Sequence, residues 1–259
     1  MILDLFKVPD KVAIVTGAGR GIGAGIAVAL AEVGADVVCA ARTPADIDAT
    51  AERVRSVGRR ALSVPTDVTD RAQLEALVET TVSEMGRLDI LVNNAGGWPP
   101  QPLLRTSERA FEQALRFNVT SAFLLTRFAV PAMLETAGGG TIINISSRAG
   151  SMVQPGFTAY GTSKAALSFM TRNMAPELAP EIRVNAIELG GVETDALATV
   201  LTDESIRRQL EENTPMRRVG QVDDIAAFAV YLASPASSWV TGKVFEIDGG
   251  TEHPSFTVA

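Results

Sequence analysis

Tyr160 and Lys164 stand four residues apart in Tyr160-Gly161-Thr162-Ser163-Lys164, and Ser147 precedes the tyrosine by 13 residues. Side chains at i and i+4 share one helical face, so a helix through this segment can point the phenol and the ammonium into one site. That pairing suits proton exchange. A free tyrosine titrates near pH 10, too high for a base at neutral pH, and nearby positive charge lowers that value by favouring the phenolate. The chain of 259 residues has two tyrosines, one histidine and one cysteine, so finding a tyrosine in this setting carries weight. The same counts remove other chemistries. Cys39 has no partner for a disulfide. Zinc sites draw mostly on Cys and His, and a Ser-His-Asp triad would rest on His253 alone. Acid–base work therefore falls to Tyr, Lys, Asp, Glu or water. By itself Tyr-x-x-x-Lys is a weak signal that more often marks a surface pair, and it gains meaning only beside a second motif.

That second motif lies near the N-terminus. Thr16-Gly17-Ala18-Gly19-Arg20-Gly21-Ile22-Gly23 follows a β-rich run directly and leads into a helical stretch. Glycines permit a tight turn and close approach to a pyrophosphate, whose charge meets the amides of the helix N-terminus. Strict G-x-G-x-x-G spacing fails, since from Gly17 the last position is Ile22, whereas T-G-x-x-x-G-x-G fits. No Gly-Lys-Ser/Thr follows, which excludes a P-loop. NAD-binding sheets usually place an acid at the tip of the second strand to bond the ribose 2′-hydroxyl. Here the tip reads Cys39-Ala40-Ala41-Arg42-Thr43. Arg42, and Arg20 from the glycine loop, carry planar donor forks that match a 2′-phosphate. NADP(H) is the expected cofactor and NAD(H) the alternative. The plainer reading leaves both arginines as solvated surface charges.

Elements must bring these distant motifs together. β-rich runs fall at 12–16, 36–40, 61–65, 88–93, 141–146, 182–187 and 243–247, and segments of helical spacing separate them. Pro44 and Asp70 read as helix starts, Gly58 and Gly86 as stops. Such alternation predicts an open, doubly wound α/β sheet of about seven parallel strands with helices on both faces. A ligand then belongs outside the carboxyl ends of the strands, where the strand order switches. The length buries roughly 70–75% of the unfolded surface, enough for one large core, and no linker-like tract interrupts 1–259. One domain is expected. No stretch reaches 18 apolar residues, so no membrane span is expected, and the first eleven residues lack the pattern of a secretory leader. A lone cysteine fits a reducing cytoplasm. A net charge of −7 argues against nucleic-acid binding.

With these motifs in order, the sequence resembles a short-chain dehydrogenase/reductase of the roughly 250-residue branch. The likeness spans about residues 8–250 and rests on T-G-x-x-x-G-x-G at 16–23, Asp67-Val68, Asn93-Asn94-Ala95-Gly96, Ser147, Tyr160-x-x-x-Lys164 and Gly190-x-Val192-x-Thr194. It implies a Rossmann-type fold and hydride transfer between nicotinamide and a carbonyl or secondary alcohol. Tyr160 would then exchange a proton with the substrate oxygen. Lys164 would bind the nicotinamide ribose and lower the phenol's pKa, and Ser147 would hydrogen-bond the reacting oxygen. Ser146 is the weaker candidate, because adjacent strand residues face opposite ways. Asn118 would hold a water for proton relay, its alternative being an ordinary helix-face residue. Asp67 and Val68 would flank the adenine, and Asn94, Ala95 and Gly96 would line the cleft, while Asn93 braces the strands. Gly17, Gly19, Arg20, Gly21, Ile22, Gly23, Arg42 and Thr43 would hold the dinucleotide, with Gly190, Val192 and Thr194 at its nicotinamide end. One departure stands out. Ala186-Ile187-Glu188-Leu189-Gly190 lacks the small residue and proline usual before this glycine, and without proline's fixed φ this loop should be less constrained.

Substrate choice is expected around 98–104, 151–157 and an insert at 194–215. Trp98, Met152, Phe157, Leu197, Val200 and Leu201 would line an apolar pocket suited to a hydrophobic carbonyl or alcohol, although about half of such loop residues are expected simply to pack against the sheet. Asn94-Ala95-Gly96-Gly97, Thr194-Asp195-Ala196-Leu197, Thr214-Pro215-Met216-Arg217-Arg218 and 234–242 also resemble bacterial hydroxysteroid dehydrogenases. A 3-ketoacyl-carrier-protein reductase and a non-catalytic NADP(H) sensor are the alternatives. Enoyl reductases of this superfamily usually place six residues between Tyr and Lys, and three lie here. The resemblance further implies a homotetramer, with no metal required.

Overall fold

Seven short apolar runs form the strands β1 Val12–Thr16, β2 Asp36–Ala41, β3 Ala61–Pro65, β4 Ile90–Asn93, β5 Gly140–Ser147, β6 Ile182–Leu189 and β7 Val244–Ile247. The computed structural model describes residues 1–194 and 204–253, with the side chains of 204–206 set aside. All strands pair in parallel, in the order β3-β2-β1-β4-β5-β6-β7. A central parallel strand is covered on both faces, so its apolar residues run on without alternation; every residue of β1 and of β4 is buried.

The helices are α1 Gly21–Glu32, α2 Pro44–Ser56, α3 Arg71–Met85, α4 Glu108–Leu115, α5 Ser121–Ala137, α6 Thr158–Leu178, α7 Glu204–Asn213 and α8 Val222–Ala233. One core lies under α1, α2 and α8, with Ile26, Leu30, Ile47 and Ile225 packed on β1 and β2. The other lies under α3, α5 and α6, with Leu74, Leu77, Leu125 and Met133. The fold is the expected doubly wound, Rossmann-type sheet. Local signals act as read: Pro44 opens α2, Asp70 caps α3 by accepting from the Ala72 and Gln73 amides at 2.9 and 3.3 Å, and Gly86 ends it at φ 84°. Between α4 and α5 the chain widens into a π-helical turn at Arg116–Thr120. The run Glu108–Ala137 is apolar enough in composition to cross a membrane, but Leu125, Ala129 and Met133 are buried in the second core.

Two strands differ from expectation by two residues at one end, and the other bounds agree to within one. β4 begins at Ile90, just past Asp89, whose side chain accepts the Val12 amide. β6 runs on through Glu188 and Leu189, which pair with Ser146 and Ser147 of β5 and with Glu246 and Ile247 of β7. The segment before Gly190 is thus held by ladder bonds on both sides, and it is not loosened by the missing proline.

Asp89 is a carboxylate buried among cations. It accepts from Lys11 Nζ at 2.9 Å, from Arg87 Nε and Nη2 at 2.7 Å each and from the Val12 amide at 3.0 Å. Burial alone would raise its pKa; the Arg87 guanidinium, the Lys11 ammonium and the amide outweigh this and hold it below the ordinary value. A depressed carboxylate stabilises the fold above its unfolded pKa of about 4, and the contribution fades as pH falls through the lower native value. Asp89→Asn should cost about 1–2 kcal/mol at pH 7 in urea unfolding, since Lys11 and Arg87 lose their shared buried acceptor but still reach water. The gap to the unaltered protein should narrow as pH falls below about 4 and the carboxyl takes up its proton.

Candidate active site

Strand order switches between β1 and β4, and the loops leaving their carboxyl ends meet there. Thr16 joins them: its hydroxyl donates to Val92 O at 3.2 Å and accepts from the Asn94 and Ala95 amides at 3.0 Å each. Asn94 Nδ2 donates to Thr16 O at 2.8 Å and Gly17 O at 3.3 Å, so it clamps the glycine loop from the neighbouring strand. Gly17 turns the chain at φ 65°. A Cβ on Gly23 would fall 2.2 Å from Gly17 O and 2.5 Å from Asn94 Nδ2, so only glycine fits where α1 docks on the loop. The first turn of α1 has no side-chain cap; Arg20 stands at its N-cap with its side chain exposed. Free amides at a helix start, fronted by a loop stripped of side chains, fit a pyrophosphate. Thr194 closes this side, its Cγ2 3.5 Å from where a Cβ on Gly21 would lie.

Arg42 and Thr43 are exposed just past β2. Asp67 lies beside them and takes the Thr69 amide and hydroxyl, both at 2.8 Å. Those two bonds hold its carboxyl below the usual range, with smaller help from Arg42 and Arg116. Val68 is buried in the core under α3. Asn93 faces inward, donating to Asn144 Oδ1 at 2.9 Å and Thr126 Oγ1 at 3.3 Å.

The remaining groups gather at the ends of β4 and β5. Lys164 is buried, and its ammonium donates to Ile145 O at 2.7 Å, 5.8 Å from the centroid of the Tyr160 ring. Burial pulls its pKa down to about 8. The Ser147 hydroxyl lies beside the Tyr160 phenol, near enough to lower its pKa, and Ser147 Oγ accepts the Ala149 amide at 3.2 Å. The expected lowering of the phenol by Lys164 does not govern the free protein. Burial pushes the Tyr160 pKa up, and the Ser147 hydroxyl offsets part of that rise. Ser146 points the other way, to Lys164 O at 3.1 Å and Ser168 Oγ at 2.9 Å. Asn118 sits in the π-helical turn, a distortion frequent at functional sites. It is tied at 2.8 Å from the Gly97 amide and donates to Gly97 O at 3.2 Å and Ala114 O at 2.9 Å. Gly96 lies between Asn118 and Lys164.

A family model described as enoyl-(acyl carrier protein) reductase matches residues 17–252. The chain belongs to the short-chain dehydrogenase/reductase family. It is 51% identical over 255 residues to an uncharacterized oxidoreductase of Mycobacterium tuberculosis, covering 98% of this chain and 97% of that one. It is 42% identical to the 7α-hydroxysteroid dehydrogenase of Escherichia coli K12, covering 95% and 96%. A solved 7α-hydroxysteroid dehydrogenase with NADH and 7-oxo glycochenodeoxycholic acid superposes with a TM-score of 0.92, at 40% identity and covering 96% and 97%. A gluconate 5-dehydrogenase of Burkholderia cenocepacia with NADP and tartrate gives 0.91 at 33% identity, covering 96% and 98%. This short-chain dehydrogenase/reductase is an oxidoreductase acting on alcohol and ketone groups.

Two loops of the enzyme border the cleft together, because the Gln101 amide donates to Gly156 O at 2.7 Å. They carry Trp98, Met152 and Phe157, all half-buried, with the Phe157 ring 6.2 Å from that of Tyr160. Leu197, Val200 and Leu201 lie outside the described residues. Gly190 packs on Asp248, a Cβ there falling 2.7 Å from its Cα, and Val192 bridges to Gly220. Sequence reading missed Arg148, which meets Glu188, Glu246 and Asp248 next to Ser147. The unusual Glu188 was the available signal, but its partners are far away in sequence.

A Cβ on Gly96 would lie 2.8 Å from Asn118 Oδ1 and 2.9 Å from Lys164 Nζ. Both are ends of side chains that can yield, so Gly96→Ala should fold but displace the two groups. Turnover should fall about 10²-fold with a thermal midpoint within about 3 °C, measured by steady-state kinetics and a circular-dichroism melt.

Proposed function

We propose that the protein is an NADP(H)-dependent oxidoreductase for a hydrophobic, steroid-like ketone or secondary alcohol, with Tyr160 as its acid/base. The observation that carries this reading is the grouping of the Ser147 hydroxyl and the Tyr160 phenol with a buried ammonium 5.8 Å from the phenol ring centroid, in front of an uncapped helix N-terminus. The dinucleotide would lie along Gly17, Gly19, Gly21, Ile22 and Gly23, with Asp67 and Val68 at the adenine, Asn94, Ala95 and Gly96 along the cleft and Gly190, Val192 and Thr194 at the nicotinamide. When bound, it supplies the hydride that reduces a carbonyl carbon or accepts one from an alcohol. Ser147 donates to the substrate oxygen and holds it against the phenol. Tyr160 gives that oxygen its proton in reduction and takes it back in oxidation. Lys164 supplies positive charge and ribose donors, and Asn118 with Gly97 fixes a water behind Lys164 for proton exchange with solvent.

NADP(H) is favoured by Arg42 and Arg20, both exposed at the loop ends with no acid at the tip of β2. NAD(H) is the second reading, supported by Asp46, whose Cβ lies 2.8 Å from where a Cβ on Gly19 would stand. Trp98, Met152 and Phe157 make the described rim of the pocket apolar, as a steroid-like substrate requires, and the hydroxysteroid dehydrogenase relative acts on such a molecule. Leu197, Val200 and Leu201 complete the pocket in this reading. We place the enzyme in the cytoplasm as a homotetramer, consistent with a single buried thiol and with Phe123 of α5 and Phe169 of α6 exposed; Leu167, on the same helix as Phe169, is core.

The test is NADPH oxidation against steroid, aliphatic and aromatic ketones and acyl thioesters. Turnover of steroid ketones is expected, and turnover of acyl thioesters alone would overturn the substrate assignment. Tyr160→Phe should lose about 10²- to 10⁴-fold in kcat while a fluorescence titration finds NADPH binding within about twofold. Near-normal kcat in that variant would remove Tyr160 as the base. In the same assay Arg42→Ala should raise the KM for NADPH about tenfold and leave that for NADH unchanged.

A further inference from the structure

Glu188 is a carboxylate at the buried end of β6, 3% exposed, between two neighbouring strands. In register it stands beside Ser146 on β5 and Glu246 on β7. Its Oε1 accepts from Ser168 Oγ at 2.7 Å and its Oε2 from Ser151 Oγ at 2.6 Å. Arg148 Nη1 lies 3.8 Å from Oε2 and donates to Ser151 Oγ at 3.0 Å. The hydroxyls have one proton each. Arg148 donates to Ser151 and Ser151 to Glu188; on the other side Ser168 donates to Glu188 and so can only accept from Ser146, 2.9 Å away, whose own proton also has Lys164 O in reach at 3.1 Å. Both hydroxyls that touch the carboxylate donate to it.

The two ends of this chain hold different halves of the site. Arg148 and Ser151 belong to the turn that begins at Ser147. Ser168 lies on α6 one turn beyond Lys164 and two beyond Tyr160, so the three share a face. Arg148 is held in turn by Asp248 at 2.8 Å, by Glu246 and by Thr251 O at 3.2 Å. We infer that Glu188 is a positioning residue that sets the register between the Ser147 turn and the Tyr160 helix, and so the placement of the Ser147 hydroxyl against the phenol. A buried carboxylate bonded to both elements acts as a strut, and a small apolar residue there would leave Ser151, Ser168 and Arg148 without their common acceptor. This rests on Tyr160 and Ser147 as the working pair.

Because Ser147 is what offsets the rise of the Tyr160 pKa, loss of register should appear in a pH profile. The charged groups facing Glu188 are Arg148 from the turn, Glu246 from β7 and Asp248 beyond it; the charged group facing Tyr160 is Lys164 on its own helix. The experiment follows alcohol oxidation from pH 6 to 10 in Glu188→Ala, Glu188→Gln and Ser168→Ala, with NADPH binding by fluorescence titration as a readout apart from turnover. Glu188→Ala should lower kcat about tenfold and move the rising limb up by about half a unit or more, with NADPH affinity within about twofold. Glu188→Gln should recover most of both, since its amide oxygen still accepts one hydroxyl and its NH₂ donates to the other once that hydroxyl turns. Ser168→Ala, which removes only the helix-side bond, should shift the limb the same way by a smaller amount and serves if Glu188→Ala does not fold. An unmoved limb in every variant that folds would overturn the inference. Tyr160→Phe run alongside separates the two failures: if it keeps turnover the acid/base assignment is wrong, and if it loses turnover while the limb stays fixed only the strut is wrong.

Discussion

A buried ammonium is the constraint around which this cleft is built. Lys164 is almost without water, and a cation in that position must be met by oriented dipoles or it gives up its proton. The Ile145 carbonyl at 2.7 Å is the dipole provided, and it is available because β5 ends two residues later and α6 lies directly over that end. The approach is close enough to exclude side chains. A Cβ on Gly150 would lie 2.7 Å from the Ala165 amide, and one on Gly161 would lie 2.5 Å from Ala149 O. Gly96 completes the enclosure from the β4 loop, and the π-helical turn carries Asn118 to the same place. These residues come from four segments, which only the parallel sheet brings together at one edge.

Much of that frame was legible before any coordinates. Parallel strands covered on both faces read as apolar runs, and the glycine loop follows β1 in a context that few chance matches share. Asp70, Pro44 and Gly86 act through their immediate neighbours, so their effects were visible locally. What was not legible depends on contacts across long separations. Nothing in Arg116-Phe117-Asn118-Val119-Thr120 breaks a helix by composition, and the widened turn arises where Asn118 bonds back to Gly97 as well as to Ala114. Glu188 stands out in the sequence, but the missing proline beside it predicts slack. The structure instead puts the residue in a ladder and gives its carboxylate partners 20 and 37 positions away.

The electrostatics also differ from a simple pairing of ammonium and phenol. Burial pushes Tyr160 up and Lys164 down, so each group moves toward its neutral form in the free protein. Lys164 at about 8 still carries most of its charge at neutral pH, yet its nearest acceptor is a backbone carbonyl and not the phenol. In the proposed mechanism the remaining drive toward phenolate must come with the oxidised nicotinamide, whose positive charge enters the same poorly solvated space, where it acts strongly. In that mechanism the phenol keeps its proton in the free protein and gains basicity with the nicotinamide, which makes the nearby Ser147 hydroxyl the part of the tuning that the protein alone provides.

The same network bears on what the cleft accepts. Similar scaffolds, with TM-scores of 0.92 and 0.91, are found with a bile-acid ketone in one case and with tartrate in the other, so the sheet does not choose the substrate. The choice falls to the loops at the rim and to their charges. A sugar acid brings a carboxylate that a cation in the cleft would meet, and the cation adjacent to Ser147 is Arg148. Here that guanidinium is taken by Asp248, Glu246 and the Glu188 shell, with its side chain only 12% exposed. A carboxylate substrate would have to compete with three resident carboxylates for it. The described rim offers Trp98, Met152 and Phe157 instead, and a neutral, apolar ketone meets those without that competition.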